Sequence, residues 1–287
     1  MAKQRSQYRR YTRSKAGNIF YFAILIIAGV FMALPMFYCI VTSLKPLDEL
    51  LIFPPKFFVY RPTLSNFIAL PALLSNLKVP ISRYTFNSLF IACVSSVMAI
   101  IAASLAAFTF SKSNVRGSKF LFALVQVMLL YNAYTLSVPQ YLIFSKLHMI
   151  NTYWVYILPA IPSSVGCFLM KQYMDASVPN TLLEAARIDG AGVMRIYWRI
   201  VMPIMKPAWM TVLLFSFQGM WSVVPGGTIF NEELKTLPYV MSSVSAGGIA
   251  RSGSAMAITV LLMIPPIIVF LFTQSSVLET MSSSGIK

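Results

Sequence analysis

Charge is scarce in these 287 residues: Asp, Glu, Lys and Arg make up 11% of the chain, against roughly 25% in an ordinary soluble domain. Only 8 carboxylates are present, with one histidine and three cysteines. A single histidine, His148, excludes multi-histidine metal sites and HExxH arrangements, and reads as a polar residue in a short outer loop. Cys39, Cys93 and Cys167 lie in apolar stretches without CxxC spacing, so they read as small packing residues, with no disulfide or metal implied. No GxSxG is present, and the nearest approach to a phosphate-binding GxxxxGK[ST] is Gly117-Ser118-Lys119, which lacks the upstream glycine. Catalysis in this chain is therefore not expected, and any nucleotide energy would have to be bound by another chain.

What is present in abundance is apolar sequence. Six stretches contain no charged residue: Ile19 to Ser43, Phe86 to Phe110, Phe120 to Val138, Tyr153 to Met170, Ala208 to Val224 and Ala255 to Thr273, of 25, 25, 19, 18, 17 and 19 residues. These bracket the ~20 residues that carry a helix across a hydrocarbon core. Runs such as YFAILIIAGVFMALP are apolar on every side, whereas a barrel strand alternates over about ten residues. The expectation is an all-α, polytopic membrane protein with six transmembrane helices. Its spans hold no acid or base, which argues against a self-contained ion-coupled carrier.

The distribution of positive charge suggests an orientation. With the amino terminus inside, the inner segments hold 15 of the 23 Lys and Arg and the outer loops 8, so the bias puts both termini in the cytoplasm. The basic residues at 1–18 then read as a topology signal and a contact with anionic membrane lipid, not as a nucleic-acid arm. The first apolar run exceeds a signal-peptide core and lacks a small-x-small site, so it reads as a retained span. The expected organisation is a basic cytoplasmic head at 1–18, a six-span region at 19–274 and a cytoplasmic tail at 275–287.

The most informative stretch is the inner loop at 171–206, KQYMDASVPNTLLEAARIDGAGVMRIYWRIVMPIMK. Thr181 and Glu184 fit a capping box behind Pro179, predicting a short helix from about Thr181 to Asp189. Leu182, Leu183, Ala186 and Ile188 supply apolar contact positions, and Gly190 and Gly192 allow a turn. A basic amphipathic piece follows at 193–201, with Arg195 and Arg199 one helical turn apart.

EAARIDGAGVMRIYWRIVMP resembles the EAA loop of the membrane subunits of ABC importers, whose pattern is EAA, three residues, Gly, nine residues, Ile, one residue, Leu, Pro. Glu184, Ala185, Ala186, Gly190, Ile200 and Pro203 fall at those spacings, with Met202 replacing the leucine at similar volume. The added Asp189-Gly190-Ala191, the opening LPMFYCIVTSLKPLDEL, TLSNF at 63–67 and the tail ETMSSSGIK are similar to the sugar-importing, maltose-transporter-like branch. The resemblance covers nearly the whole chain. It implies a type I importer permease fold in a bacterial plasma membrane, forming half of a pathway for a carbohydrate. Partners would be a second permease subunit, two ATPase subunits and an extracellular or periplasmic binding protein, with no cofactor in this chain and ATP and Mg on the ATPase. Carried over residue by residue, Glu184 becomes the docking contact, Ala185 and Ala186 the close-packed face and Gly190 the turn, with Asp189 set to cap or to pair locally with Arg187 or Arg195.

The solute pathway is less defined. Carbohydrate recognition combines aromatic faces with amides and hydroxyls, and Gln126, Tyr131, Asn132, Tyr134, Gln218 and Trp221 stand within or near spans. Each also suits an interfacial belt or a helix-to-helix hydrogen bond. The first outer loop (45–85) and the third (225–254) are the expected docking surfaces for the binding protein, and SSVSAGGIARSGS at 242–254 reads as a flexible or tightly turning stretch. The same machine importing a polyamine or a phosphorylated polyol, or a self-contained carrier or channel, are the alternative readings.

Overall fold

A computed structural model describes residues 15–75, 78–113, 115–131 and 133–284. Asn132, most of the basic head and the last three residues lie outside the described residues, which contain no strand. The helices are α1 (Lys15–Ser43), α2 (Leu47–Leu50), α3 (Ser65–Ile68), α4 (Leu70–Leu74), α5 (Ile81–Lys112), α6 (Ser118–Met128), α7 (Ser137–Lys146), α8 (Trp154–Ala160), α9 (Ser164–Ser177), α10 (Asn180–Ile188), α11 (Val193–Ile196), α12 (Met202–Ile204), α13 (Lys206–Trp221), α14 (Leu237–Ser245) and α15 (Ser252–Ser284).

Four segments are long and apolar enough to cross a membrane: Gly17–Ser43, Ile81–Lys112, Trp154–Ser177 and Ile249–Thr280. A fifth forms if Val193–Ile204 and Lys206–Trp221, bent by 79° at their junction, are taken together. Proline chemistry explains the bend. Pro207 cannot donate to the carbonyl of Pro203, and its ring crowds that group. Just upstream, Pro203 follows a π-helical turn at Tyr197–Val201, where the wider winding relieves the same conflict. The Trp209 indole N–H donates to the Met202 carbonyl at 3.2 Å and spans the corner.

The expected third stretch, Phe120 to Val138, is not one helix. α6 stops at Met128, and a 3-10 turn at Ala133–Leu136 leads into α7. Pro139 lies in the first turn of α7, where its missing N–H costs nothing, whereas in a continuous helix it would break the ladder. The expected fourth stretch runs on to Ser177 and breaks between α8 and α9, where the Ser163 hydroxyl accepts from the Gly166 N–H at 3.0 Å and restarts the helix. α15 continues unbroken past position 275 to Ser284, and Thr211 on α13 donates to the Thr280 hydroxyl at 3.2 Å.

α5 is the central element and packs against α9, α13 and α8, while α15 packs against α13 and α1. Its buried face is built of small residues, among them Ala92, Ser96, Ala99, Ala103, Ser104 and Ala107, which lets neighbouring backbones approach closely. α1 is the opposite case: most of its large side chains from Ile19 to Ile40 are exposed, Met32 by 76%. An apolar surface of that extent is untenable in water and fits contact with lipid tails.

Candidate functional site

The EAA segment forms α10 and the turn behind it. Leu183 and Ala186 are buried in the main core, whereas Leu182, Glu184, Ala185 and Ile188 are exposed, Ile188 by 87%. Ala186 therefore packs inward against this chain, while Ala185, one residue before it, is exposed. The capping box is corrected. The N-cap is Pro179, and no side chain caps the helix, because Thr181 stands inside the first turn.

The end of α10 is a Schellman motif. The Gly190 N–H donates to the Arg187 carbonyl and the Ala191 N–H to the Ala186 carbonyl, both at 3.0 Å. Gly190 has φ +79°, a conformation in which a Cβ would crowd the carbonyl oxygen. Ala191 then packs back on the core that holds Ala186. Asp189 forms the C-cap and makes no ion pair with Arg187 or Arg195 among the described residues. Beyond the turn, Val193, Met194 and Trp198 are exposed, Ile200 is half-buried against the core and Pro203 is exposed.

Both flanks of α10 are tied to the carboxy-terminal part of α5. The Lys112 ammonium donates to the Val178 carbonyl at 2.6 Å and to Asn180 Oδ1 at 3.1 Å, so it clasps the α9–α10 junction. Ser111 donates to Asp175 at 2.5 Å, and Lys171 pairs with the other Asp175 oxygen at 2.6 Å. Behind α10, the Tyr197 phenol shares a 2.5 Å hydrogen bond with Ser104, and its ring meets Phe108 edge-on at 5.6 Å. These partners lie about 65 to 95 residues apart in the chain, so sequence reasoning missed them; the polar Ser104 inside an apolar run was the only available signal.

The expected pathway residues do not converge. Gln126 and Tyr131 are exposed at the end of α6, and Gln218 is exposed on α13. Asn132 lies outside the described residues, and of Tyr134 only the backbone is described. Trp221 is 3% exposed, donates its indole N–H to the Leu262 carbonyl at 2.9 Å and stacks on Phe217. It serves the core and has no donor left for a solute.

At the opposite end of α5, Asn87 is completely buried and organises the loop between α13 and α14. Its amide donates to the carbonyls of Glu233 (2.7 Å) and Lys235 (2.8 Å) and accepts from the Tyr153 phenol at 2.7 Å. Asn151 braces the same loop by accepting from the N–H groups of Phe230 and Asn231. Burial works against the Lys235 ammonium, yet Glu232 at 2.6 Å and the Tyr239 phenol at 2.8 Å hold its pKa above the usual lysine value. In the segment between α1 and α5 the Glu49 carboxylate accepts from the backbone N–H groups of Tyr60 and Arg61 at 3.0 and 2.9 Å. The stretch at 242–254 turns tightly: α14 ends at Ser245, Gly248 takes φ +77°, and α15 begins at Ser252.

No family model matches the chain. Among proteins of known role, it is 28% identical over 260 residues to the arabinooligosaccharides transport system permease protein AraQ of Bacillus subtilis, covering 88% of this chain and 90% of that one. It is 26% identical over 284 residues to the galactooligosaccharides transport system permease protein GanQ of the same organism, covering 97% of both. A chain in the crystal structure of a bacterial ABC transporter that imports the acidic polysaccharide alginate shares the fold, with TM-score 0.76 and 20% identity over 92% of this chain and 98% of that one. Full-length similarity to sugar permeases, a shared fold and a helical body with lipid-type apolar surfaces converge on one conclusion: this chain belongs to the permease subunits of sugar ABC transporters.

Proposed function

We propose that this chain forms half of the translocation pathway of an ATP-driven oligosaccharide importer in a bacterial plasma membrane, and that α10 with α11 docks on a separate ATPase subunit. The observation that carries the reading is the division of α10 into two faces. Leu183 and Ala186 lock it to the core, while Glu184, Ala185, Ile188 and, beyond the turn, Val193 and Met194 stand exposed next to polar groups. Such an apolar ridge with a polar rim suits a protein partner. The ATPase would hold ATP and Mg, and this chain's contribution is mechanical. Lys112 and Tyr197 tie the flanks of α10 to α5, so displacement of the ridge would be transmitted to the centre of the bundle.

In this reading α6 and α7 together form a broken crossing, which brings the spans to six and puts both termini in the cytoplasm. A second permease subunit, a different chain, completes the pathway, and an external binding protein delivers solute to the outer loops at 45–85 and 225–254. The names of the relatives support an oligosaccharide as the solute class. The test is affinity purification of the tagged chain in mild detergent, with companions identified and ATP hydrolysis assayed. An ATPase subunit that is lost from the Ala185→Arg and Ile188→Asp variants supports the docking surface. Retention of the ATPase and full transport by both variants refutes it.

A further inference from the structure

A cavity of about 430 Å³ opens between α7, α8 and the segment that follows α13, within the range of small-molecule sites, roughly 300–1,000 Å³. We propose that it is a binding subsite for a neutral pyranose or furanose unit, carried by this chain itself; the inference rests on the oligosaccharide reading above and narrows it.

Four features support the assignment. The lining residues include no Asp, Glu, Lys or Arg, so the site offers a cationic polyamine no counter-charge and a phosphorylated polyol no cation. Gln140 and Thr228 line it half-buried, and Tyr141 lines it exposed. An amide that donates and accepts, a hydroxyl and a phenol match a solute dense in hydroxyl groups, and the tyrosine ring offers a flat face to sugar C–H groups. Pro159 lies in the wall and cannot donate to the carbonyl one turn earlier, that of Val155, itself a lining residue. That carbonyl is an acceptor the helix ladder leaves available, the device by which broken membrane helices make solute sites. Finally, Gly227 contributes wall without side chain, and an added Cβ there would meet nothing within 4 Å. A larger side chain at this lining position is therefore free of clashes within the chain, and the position adjoins the loop braced by Asn151 and Asn87.

The test uses the complete transporter with its binding protein in proteoliposomes, supplied with a mixture of arabinotriose and galactotriose plus spermidine, and uptake is read by mass spectrometry. Gly227→Trp puts bulk at the cavity wall, and Gln140→Leu and Tyr141→Ala each remove one contact; only variants that co-purify with their partners as wild type does are compared. The expected result is at least a tenfold loss of sugar uptake for Gly227→Trp. For the other two, the half-saturating sugar concentration should rise about tenfold, the effect of losing one good hydrogen bond or ring contact. Uptake within twofold of wild type in all assembled variants overturns the subsite while leaving the importer reading intact. Wild-type uptake of spermidine in place of either sugar overturns the solute reading and the subsite together. Should Gly227→Trp fail to assemble, Gly227→Leu occupies the same open space and is judged by the same criterion.

Discussion

Gly190 gives the sharpest test of how the α10 turn is built. Its φ of +79° places it in the left-handed region, and an added Cβ would meet no atom within 4 Å. Bulk is thus tolerated within this chain, and only backbone conformation is penalised. A non-glycine residue there costs about 1–2 kcal/mol, less for Asn, whose short polar side chain tolerates the region, and more for a β-branched residue. Local opening of the Schellman motif should therefore rise about 5–30-fold in Gly190→Ala. Hydrogen exchange at the Ala191 amide, which donates to Ala186, reads this directly. The expected order of protection is wild type, Asn, Ala, then Val. Protection in Ala equal to wild type, or in Asn as poor as in Val, refutes the conformational argument. A variant with intact protection that no longer retains the ATPase marks steric contact made only in the assembly.

Other consequences can be measured independently. Lys112→Met removes two hydrogen bonds from an ammonium at the α9–α10 junction, of the order of 1.5–3 kcal/mol each for charged donors and less where water screens them. Limited proteolysis should cut faster near 178–180, and sugar transported per ATP should fall; an unchanged ratio counts against transmission through this contact. Ser104→Ala leaves the buried Tyr197 hydroxyl without this partner and should cost about 1–3 kcal/mol in chemical unfolding, whereas Tyr197→Phe should cost less, because Ser104 still donates to the Ile101 carbonyl. The double variant should cost less than their sum, and strict additivity would show the bond to be unimportant. Asn87→Leu abandons two carbonyls and the Tyr153 hydroxyl, so protease sensitivity at 226–236 should increase before the helices unfold. For Lys235, a folded-state pKa above the usual lysine value means its stabilising contribution is complete below the unfolded value of about 10.4. It is lost as pH rises through the folded value. The thermal-stability gap between wild type and Lys235→Met should accordingly stay flat from pH 6 to 9 and shrink only above about pH 10.4.

Much of the architecture was readable because the chemistry involved is local. Charge-free runs long enough to cross a bilayer, the spacing from Glu184 to Pro203 and the glycine that ends α10 are all properties of neighbouring residues. Where the reading failed, a local rule had a competitor nearby. Thr181 and Glu184 satisfy the capping-box pattern, but Pro179 takes the cap and shifts Thr181 into the first turn. Phe120 to Val138 is free of charge throughout, but the helix breaks before Pro139. Trp221 has the chemistry of a sugar platform, but its indole N–H is committed to Leu262.

The sequence by itself determined an all-helical membrane chain, the EAA segment and the sugar-permease relationship, since hydropathy and motif spacing are written along the backbone. Tertiary structure alone decided which face of α10 is locked inward, that Lys112 and Ser104 grip its flanks, and that Gln140, Tyr141, Gly227 and Thr228 meet around one cavity. Those contacts join residues tens of positions apart, and only the packing of broken helices against the small-residue face of α5 fixes which distant groups come within hydrogen-bonding reach.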